Sequence, residues 1–338
     1  MILGVVIVLF SVISPATFLT SGNFTSIASN YALTLILAMA VVPVLMVGQF
    51  DFSVTGTFGV SNALMASLIL VHGVPTPIAI IIAIATGVLV GSVNALCVVK
   101  FKINSLITTL GTGTILLGVS AGIAASGSIV PQAQEVNGET VTYVFPSWFL
   151  ALGQGKTFGV SNMFLIAVAA VIVMWVLLDR TAVGRRLNAT GGNAAAARLS
   201  GVNTNWTTIG SFISGGALAA FAGVLVTSML GSAQTNIAPA YLLPLYAGAY
   251  LGATTIKPGR FNPLGTMVGV YLIGVCVSGL QQVGVEAWIQ DVFNGAALIV
   301  AVGASAHLAK LANQGGMTPR AKSRQKNDVP RLNFFADA

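Results

Sequence analysis

Charged residues are scarce in this sequence. They make up 7% of its 338 residues, against about 25% in a typical soluble domain. Residues 1–99 contain one charged side chain, that of Asp51, while hydrophobic residues make up 55% of the whole chain. A soluble globular enzyme needs a charged surface to stay in water, so this composition excludes that class and favours segments that lie in lipid.

The residues that usually build catalytic and metal sites are also few. Cys97 and Cys276 each lie in an apolar run, where a small buried side chain is expected and not a disulfide. His72 and His307 lie at the ends of different apolar runs, which argues against a shared metal site. The net charge of +7 is scattered between apolar runs and forms no basic face for nucleic acid. We therefore expect no enzyme activity, no metal, no cofactor and no nucleic-acid partner.

Long apolar stretches make up most of the sequence. A helix needs about 20 apolar residues to cross a bilayer. Ten stretches approach that length: 1–20, 28–48, 54–71, 77–99, 104–125, 161–178, 207–230, 240–255, 263–281 and 288–308. The third and eighth are short enough to be tilted, broken or partly re-entrant. The first lacks the basic region and the cleavage site of a signal peptide, so we count it as a span. The sequence predicts an all-α polytopic membrane protein, with a transmembrane domain at 1–310.

Basic residues orient the predicted helices, because short cytoplasmic loops are rich in Lys and Arg. With the N-terminus inside, alternate crossings leave nearly all basic residues inside: Lys100, Lys102, Arg180, Arg185, Arg186, Arg198, Lys257, Arg260, Lys310, Arg320, Lys322, Arg324, Lys326 and Arg331. Lys156 is the exception, and Glu135, Glu139 and Glu286 fall outside. Both termini are therefore predicted to be cytoplasmic.

Two segments are predicted to leave the membrane. Residues 126–160 form an outside excursion with a short interfacial helix near 146–152 and an aromatic belt made of Tyr143, Phe145, Trp148 and Phe149. Residues 311–338 form a basic cytoplasmic tail that we expect to be disordered and attracted to anionic lipid. A solvated tail without a function is the alternative.

Glycines spaced four apart predict close helix packing, which small residues permit in a membrane. The pairs are Gly87/Gly91, Gly118/Gly122, Gly248/Gly252 and Gly265/Gly269.

The longest polar segment on the predicted inside face is the loop at 179–206. Within it, Asn193 is a good helix N-cap, residues 194–199 have high helix propensity, and Gly201 is suited to end a helix. A capped helix at the membrane surface indicates a docking element for a cytosolic partner.

Asp51 lies between the second and third stretches, and two interpretations remain open. An ionisable group at membrane depth is costly and usually marks a functional or gating site. At the inner interface it would only cap the next helix, with help from Ser53 and Thr55. Other polar residues within apolar stretches could line a path or bond neighbouring helices: Asn62, Asn94, Thr108, Thr109, Ser278, Gln281 and Gln282.

Several motifs together resemble a known family. They are QFDFSV at 49–54, INSLITTLG at 103–111, the segment 181–201 with GGN and AARLSG, LGSAQ at 230–234, and the shorter matches at 259–260 and 264–266. From about residue 30 to 308 the chain resembles the membrane permeases of bacterial ABC sugar importers of the ribose, xylose and arabinose type.

The resemblance implies ten helices in a fold similar to the cobalamin-importer permease, in the bacterial inner membrane. It implies a permease dimer, made of two copies or of paralogues, with ATP-binding subunits and a periplasmic sugar-binding protein as partners. ATP would be used by the partner subunit. The coupling residues would be Gly184, Arg185, Gly191, Gly192, Asn193, Ala196, Ala197, Arg198, Leu199, Ser200 and Gly201. The translocation pathway or gate would involve Asp51, Asn62, Asn94, Thr108 and Gln234.

The predicted function is therefore import of a monosaccharide, a pentose-like sugar or a polyol, by a permease subunit that has no ATPase of its own. A permease for branched-chain amino acids or nucleosides is one alternative. An ion-coupled secondary transporter is another, although that class usually needs several intramembrane acids and only Asp51 is available here.

Overall fold

The computed structural model describes residues 2–125, 127–136, 139–286 and 288–315. The first part of the chain forms α1 (Ile2–Ile13), α2 (Pro15–Phe18), α3 (Ser21–Met46), α4 (Ser53–Ala66), α5 (Thr76–Ala95) and α6 (Ser105–Ile123). The second part forms α7 (Ser147–Gln154), α8 (Asn162–Trp175), α9 (Ala182–Gly192), α10 (Ala194–Leu199), α11 (Thr204–Leu230), α12 (Leu242–Gly252), α13 (Pro263–Gln282) and α14 (Trp288–Gly315). Wider π-helical turns extend α4 to Val71, α5 to Lys100 and α8 to Arg180, and the 3-10 turn Ala238–Tyr241 leads into α12.

Short strands occupy some of the connections. They are β1 (Ser128–Ile129), β2 (Ala133–Val136), β3 (Glu139–Thr142), β4 (Lys156–Thr157), β5 (Val160–Ser161) and β6 (Ala233–Gln234). The antiparallel pairs are β2 with β3, β4 with β5, and β1 with β6. The described chain is otherwise helical, which confirms the predicted all-α class.

Eight helices within the described residues are long and apolar enough to cross a membrane: α3, α4, α5, α6, α8, α11, α13 and α14. The helices in two of the ten predicted stretches, 1–20 and 240–255, are too short to cross a membrane. This is a correction for 1–20, whereas 240–255 was already predicted to be short enough for a tilted, broken or re-entrant segment. Helix α1 ends at Ile13, because Pro15 lacks a backbone N–H and disfavours helical geometry at Ser14. Helix α12 has 11 residues, about 16 Å of helix, which is half of a bilayer core. The protein is a multi-pass membrane protein with eight full-length spans in this described part.

Helix α3 lies at the centre of the bundle. Every residue from Ala32 to Met46 is buried, and an apolar helix that is buried on all sides must be enclosed by other helices. Helices α8, α11, α12 and α13 pack around it. Its C-terminal end therefore fixes the position of the linker at 47–52, which carries Asp51.

Three of the four predicted glycine pairs lie at close helix contacts. A Cβ atom at Gly87 would lie 2.2 Å from the Gly216 carbonyl oxygen, where α5 crosses α11. In the same way α12 meets α13, where a Cβ atom at Gly269 would lie 2.2 Å from the Gly248 oxygen. The prediction is wrong for Gly118/Gly122, because these residues lie on the exposed face of α6 with no described atom within 4 Å of their Cβ positions.

These contacts give a matched pair of stability variants. Gly87→Val should lower stability by about 1–3 kcal/mol, because its side chain overlaps the α11 backbone and the two helices must separate. Gly118→Val should leave stability unchanged or slightly raised, since space is open there and valine is the better helix former. Thermal unfolding of both variants in detergent would check this, and equal losses would contradict the packing role.

The excursion at 126–160 contains the hairpins and helix α7, which confirms the predicted short helix near 146–152. The aromatic belt is wrong in part. Phe149 is fully buried and Phe145 is 5% exposed, because both pack on residues of α4 and α11, whereas Trp148 stays half exposed. In the predicted tail, α14 continues to Gly315, and residues 316–338 lie outside the described residues.

Candidate functional site

Four segments meet at one end of the bundle, which we call the basic end: residues 47–52, 100–104, 179–206 and 253–262. Lys257 Nζ lies 2.8 Å from Asp179 Oδ2. The Phe50 N–H donates to Ser105 Oγ over 3.2 Å. A Cβ atom at Gly191 would lie 1.9 Å from the Met46 carbonyl oxygen, so α9 packs directly on the end of α3. The basic end thus joins the predicted coupling loop to the linker that contains Asp51.

Helix α10 forms as its sequence predicts. The Asn193 side chain accepts a 3.0 Å hydrogen bond from the Ala196 N–H at the N-terminus. At the C-terminus, Gly201 has a φ of +82°, the Gly201 N–H bonds the Arg198 oxygen, and the Val202 N–H bonds the Ala197 oxygen. This pair of bonds is a Schellman motif. Both ends of α10 are therefore fixed by local contacts.

The surface of α10 divides into an anchored side and a free side. Ala197 is 5% exposed, and Arg198 Nε donates to Thr204 Oγ1 over 2.8 Å, which ties α10 to the start of α11. Leu199 is 92% exposed and Ala196 lies exposed beside it. The two side chains give the free side a small apolar surface on a helix whose ends are fixed. The free side of α10 therefore has the character of a contact surface.

Helix α9 was missed by the sequence analysis, which described 179–206 as a polar loop and placed a helix only at 194–199. Thr181 caps it by accepting from the Val183 N–H, and Leu187 is buried one turn further on. A Cβ atom at Gly184 would lie 1.7 Å from the Leu178 oxygen. Of the predicted coupling residues in this helix, Gly184 and Gly191 thus serve packing, while Arg185 and Gly192 are exposed.

Asp51 lies at the centre of a buried polar network at the basic end. It is 1% exposed. Its Oδ1 atom accepts hydrogen bonds from the Ser53 N–H (3.0 Å) and Ser53 Oγ (2.5 Å), and Ser53 Oγ in turn accepts from Asn94 Nδ2 (2.7 Å). The Tyr246 hydroxyl accepts from the Asp51 N–H and donates to the Asp51 carbonyl oxygen. Asp51 therefore connects the segment 47–52 to α4, α5 and α12.

The contacts of Asp51 are compatible with both interpretations, a helix cap and a functional or gating site. The bond to the Ser53 N–H is a cap on the first turn of α4, although no hydrogen bond to Thr55 assists it among the described residues. Burial raises the pKa of the Asp51 carboxyl to about 6, while the bonds from Ser53 act in the opposite direction. Its burial distinguishes the Asp51 carboxyl from a cap on the protein surface.

The other predicted pathway residues fall in two places. Thr108 is half-buried, and its neighbour Thr109 is the residue that accepts from the Phe52 N–H. Asn62 is fully buried about 14 Å further along α4. It donates to Thr227 Oγ1 (2.9 Å) and accepts from the Gln234 N–H (3.1 Å), while the Gln234 side chain is exposed. Asp51 and Asn94 thus form one cluster, and Asn62 and Gln234 form another.

A family model described as the permease component of branched-chain amino acid transport systems matches residues 23–302. This chain belongs to that permease family. The ribose import permease protein RbsC of Bacillus subtilis (strain 168) is 31% identical over 300 residues, 89% of each chain. The protein of the same name from Escherichia coli (strain K12) is 30% identical over 298 residues, which are 88% of this chain and 89% of the relative.

A further relative of the permease is the autoinducer 2 import system permease protein LsrD of Escherichia coli O9:H4 (strain HS). It is 30% identical over 267 residues, 79% of this chain and 78% of the relative. No solved structure matches the chain. The resemblance to sugar-import permeases is confirmed, and the expected similarity to the cobalamin-importer fold stays a prediction.

The permease also contains site residues that the sequence analysis did not single out. Tyr246 is the main one, because its hydroxyl holds both backbone groups of Asp51 and its ring lies 5.0 Å from that of Phe52. No sequence signal joins residues 195 positions apart. Thr109 was among the polar candidates but not among the predicted pathway residues, and only the packing of α6 shows that Thr109 and Ser105 bond the linker. Among the described residues, no cluster of three or more His, Cys, Asp or Glu could hold a metal.

Proposed function

We propose that this permease is the membrane subunit of an ABC importer that moves a monosaccharide, a pentose-like sugar or a polyol, into the cytoplasm. The observation that carries the proposal is the rigid, capped helix α10 with Leu199 exposed at the basic end. The names of the ribose import relatives support the substrate class.

The contacts of α10 suggest how a partner's movement reaches the bundle. A push on α10 acts on α11 through the bond from Arg198 to Thr204. It acts on α9 next to it, and Gly191 of α9 rests on the end of α3. The linker at 47–52 begins there and carries Asp51 to its bonds with α4, α5 and α12. ATP-driven closure of the partner would bias this connected set between two arrangements.

The other components of the importer follow from the proposal. ATP is bound and hydrolysed by a separate subunit, a periplasmic binding protein delivers the sugar, and a second permease copy or a paralogue completes the pathway. The permease itself needs no cofactor and no metal. Its basic C-terminal residues would contact anionic lipid.

An ion-coupled secondary transporter is the main alternative from another class. Such transporters bind the coupling ion at buried acids near the midplane. Asp51 lies in a linker at the basic end, and Asp291 lies exposed in the first turn of α14. Asp51 is buried but lies away from the midplane, and Asp291 is exposed, so neither acid suits a coupling-ion site and we favour ATP-driven transport.

The test is reconstitution of the complete importer. The permease is purified gently from its host, associated subunits are identified, and uptake of radiolabelled D-ribose, D-xylose, L-leucine and uridine into proteoliposomes is measured with and without ATP. We expect an ATP-binding subunit to co-purify and pentose uptake to require ATP. Uptake that responds to an ion gradient and not to ATP, or that favours leucine or uridine, would refute the proposal.

The orientation of the permease is tested separately by thiol labelling in intact cells. We expect a cysteine at Asn205, exposed at the basic end, to react only after the membrane is made permeable. A cysteine at Glu139, exposed in the outside excursion, should react at once with a membrane-impermeant maleimide. Labelling of both from the same side would refute cytoplasmic termini with the basic end inside.

A further inference from the structure

A polar cavity of about 510 Å³ opens at the end of the bundle opposite the basic end. It lies between the first half of α3, the approach to α12, the last turns of α13 and the start of α14. Its volume is within the roughly 300–1,000 Å³ of typical small-molecule sites. It is separate from the Asp51 network, which lies at the far end of α3.

The cavity is rich in uncharged hydrogen-bonding groups. Its lining includes five carboxamides, from Asn23, Asn30, Gln281, Gln282 and Gln290, together with serine, threonine and tyrosine hydroxyls. No Asp, Glu, Lys or Arg is among the described residues that line it. Polar groups inside membrane-spanning helices are costly and usually serve function or helix contacts.

Helix contacts use only part of these groups. Ser278 Oγ donates to Asn23 Oδ1 (2.8 Å), and Gln281 Nε2 donates to Gln290 Oε1 (3.1 Å). In contrast, Gln282 Oε1 is buried without a hydrogen-bond partner among the described residues. Asn30 is exposed at the cavity, and its side chain makes no hydrogen bond to the described residues. A buried amide oxygen such as Gln282 Oε1 lowers stability unless a ligand or water bonds it. The cavity therefore keeps donors and acceptors available.

We propose that this amide-lined cavity binds a neutral polyhydroxylated molecule, a sugar or polyol, as it enters the permease. Carboxamides both donate and accept hydrogen bonds, as sugar hydroxyls do, and the uncharged lining gives no counter-ion for the ammonium or carboxylate of an amino acid. The inference rests on the proposed function and adds the place and the chemistry of recognition.

The test combines transport with a direct measure of occupancy in the complete importer. Asn30→Leu and Gln282→Leu should each lower ATP-dependent D-ribose uptake about tenfold or more, because ribose hydroxyls would lose their partners. The matched control is Thr114→Val, which removes a hydroxyl from the exposed face of α6, away from the cavity. The control should transport as the parent does.

Occupancy is measured on Ala240→Cys, which lines the cavity and keeps all five carboxamides, with a membrane-impermeant maleimide and against the background of Cys97 and Cys276 in the parent. We expect excess D-ribose to slow this labelling several-fold, and equal L-leucine or uridine to leave it unchanged. This labelling needs no transport, so it still tests whether the cavity binds sugar if Asn30→Leu or Gln282→Leu fails to insert.

The failures are distinguishable. Suppose that the parent takes up pentose with ATP, that Asn30→Leu and Gln282→Leu take up pentose equally well, and that ribose does not slow cysteine labelling. The cavity inference is then wrong and the proposed function stands. If the parent takes up leucine or uridine and not pentose, the proposed function is wrong. Protection by leucine or uridine in place of ribose would overturn the sugar-binding role.

Discussion

Leu199→Glu is expected to abolish co-purification of the permease with its ATP-binding subunit and to lower ATP-dependent uptake by at least about tenfold. Leu199 is 92% exposed on a helix that is capped at both ends, so the substitution leaves the fold of the permease unchanged. The new carboxylate would lose its water against a partner's apolar surface, which is costly. Ala196→Glu, on the same free side of α10, should have the same effect.

The matched control is Phe101→Glu. Phe101 is also a large apolar residue, 60% exposed at the basic end, but it lies outside α10. Pull-down of the ATP-binding subunit and uptake would be measured for all three variants, with membrane insertion checked by fluorescence of a fused reporter. Normal assembly and uptake in both α10 variants would show that the free side of α10 is not the contact surface. Equal losses in Phe101→Glu would point to a general effect of charge at this end.

Asp51→Asn is expected to lower uptake at least about tenfold while the permease still inserts and assembles. The amide oxygen can accept the two bonds from Ser53 that the carboxylate accepts now, so the local structure is kept and only the charge is lost. Asp291→Asn is the control, because it removes an exposed acid from the first turn of α14. Full uptake by Asp51→Asn would favour the helix-cap interpretation.

The same variant has an opposite expected effect on stability. Burial raises the pKa of Asp51 to about 6 in the folded chain, against about 3.9 when unfolded. Between these values the folded chain binds more protons, so stability falls as pH rises and the loss is complete above about pH 6. The loss is on the order of 3 kcal/mol, and asparagine avoids it.

Thermal unfolding in detergent would measure this. At pH 8 Asp51→Asn should unfold at a higher temperature than the parent, and at pH 4.5 the difference should be small. A variant that is less stable than the parent at pH 8 would mean that the carboxylate stabilises the network, contrary to this reasoning.

The sequence by itself determined the features that depend on local contacts and on composition. Long apolar runs have no stable state other than helices in lipid, so hydrophobicity alone predicted ten spans, and eight of them are full-length helices in the described residues. Asn193 and Gly201 cap α10 through bonds that reach no further than a few residues. The break at Pro15 is equally local, although the sequence analysis counted 1–20 as one span. The family motifs, which lie in consecutive residues, were readable for the same reason.

The tertiary structure alone decided which residues meet across the bundle. Tyr246 reaches Asp51, Thr109 takes the role expected of Thr108, and Phe149 is buried although an aromatic residue at a membrane boundary suggests the interface. Gly87 packs on α11 while Gly118 faces open space, yet the two have the same spacing signal. Side chains in a membrane-spanning helix are apolar on every face, so the pattern does not mark the buried side. Only the rotation and crossing of neighbouring helices select it.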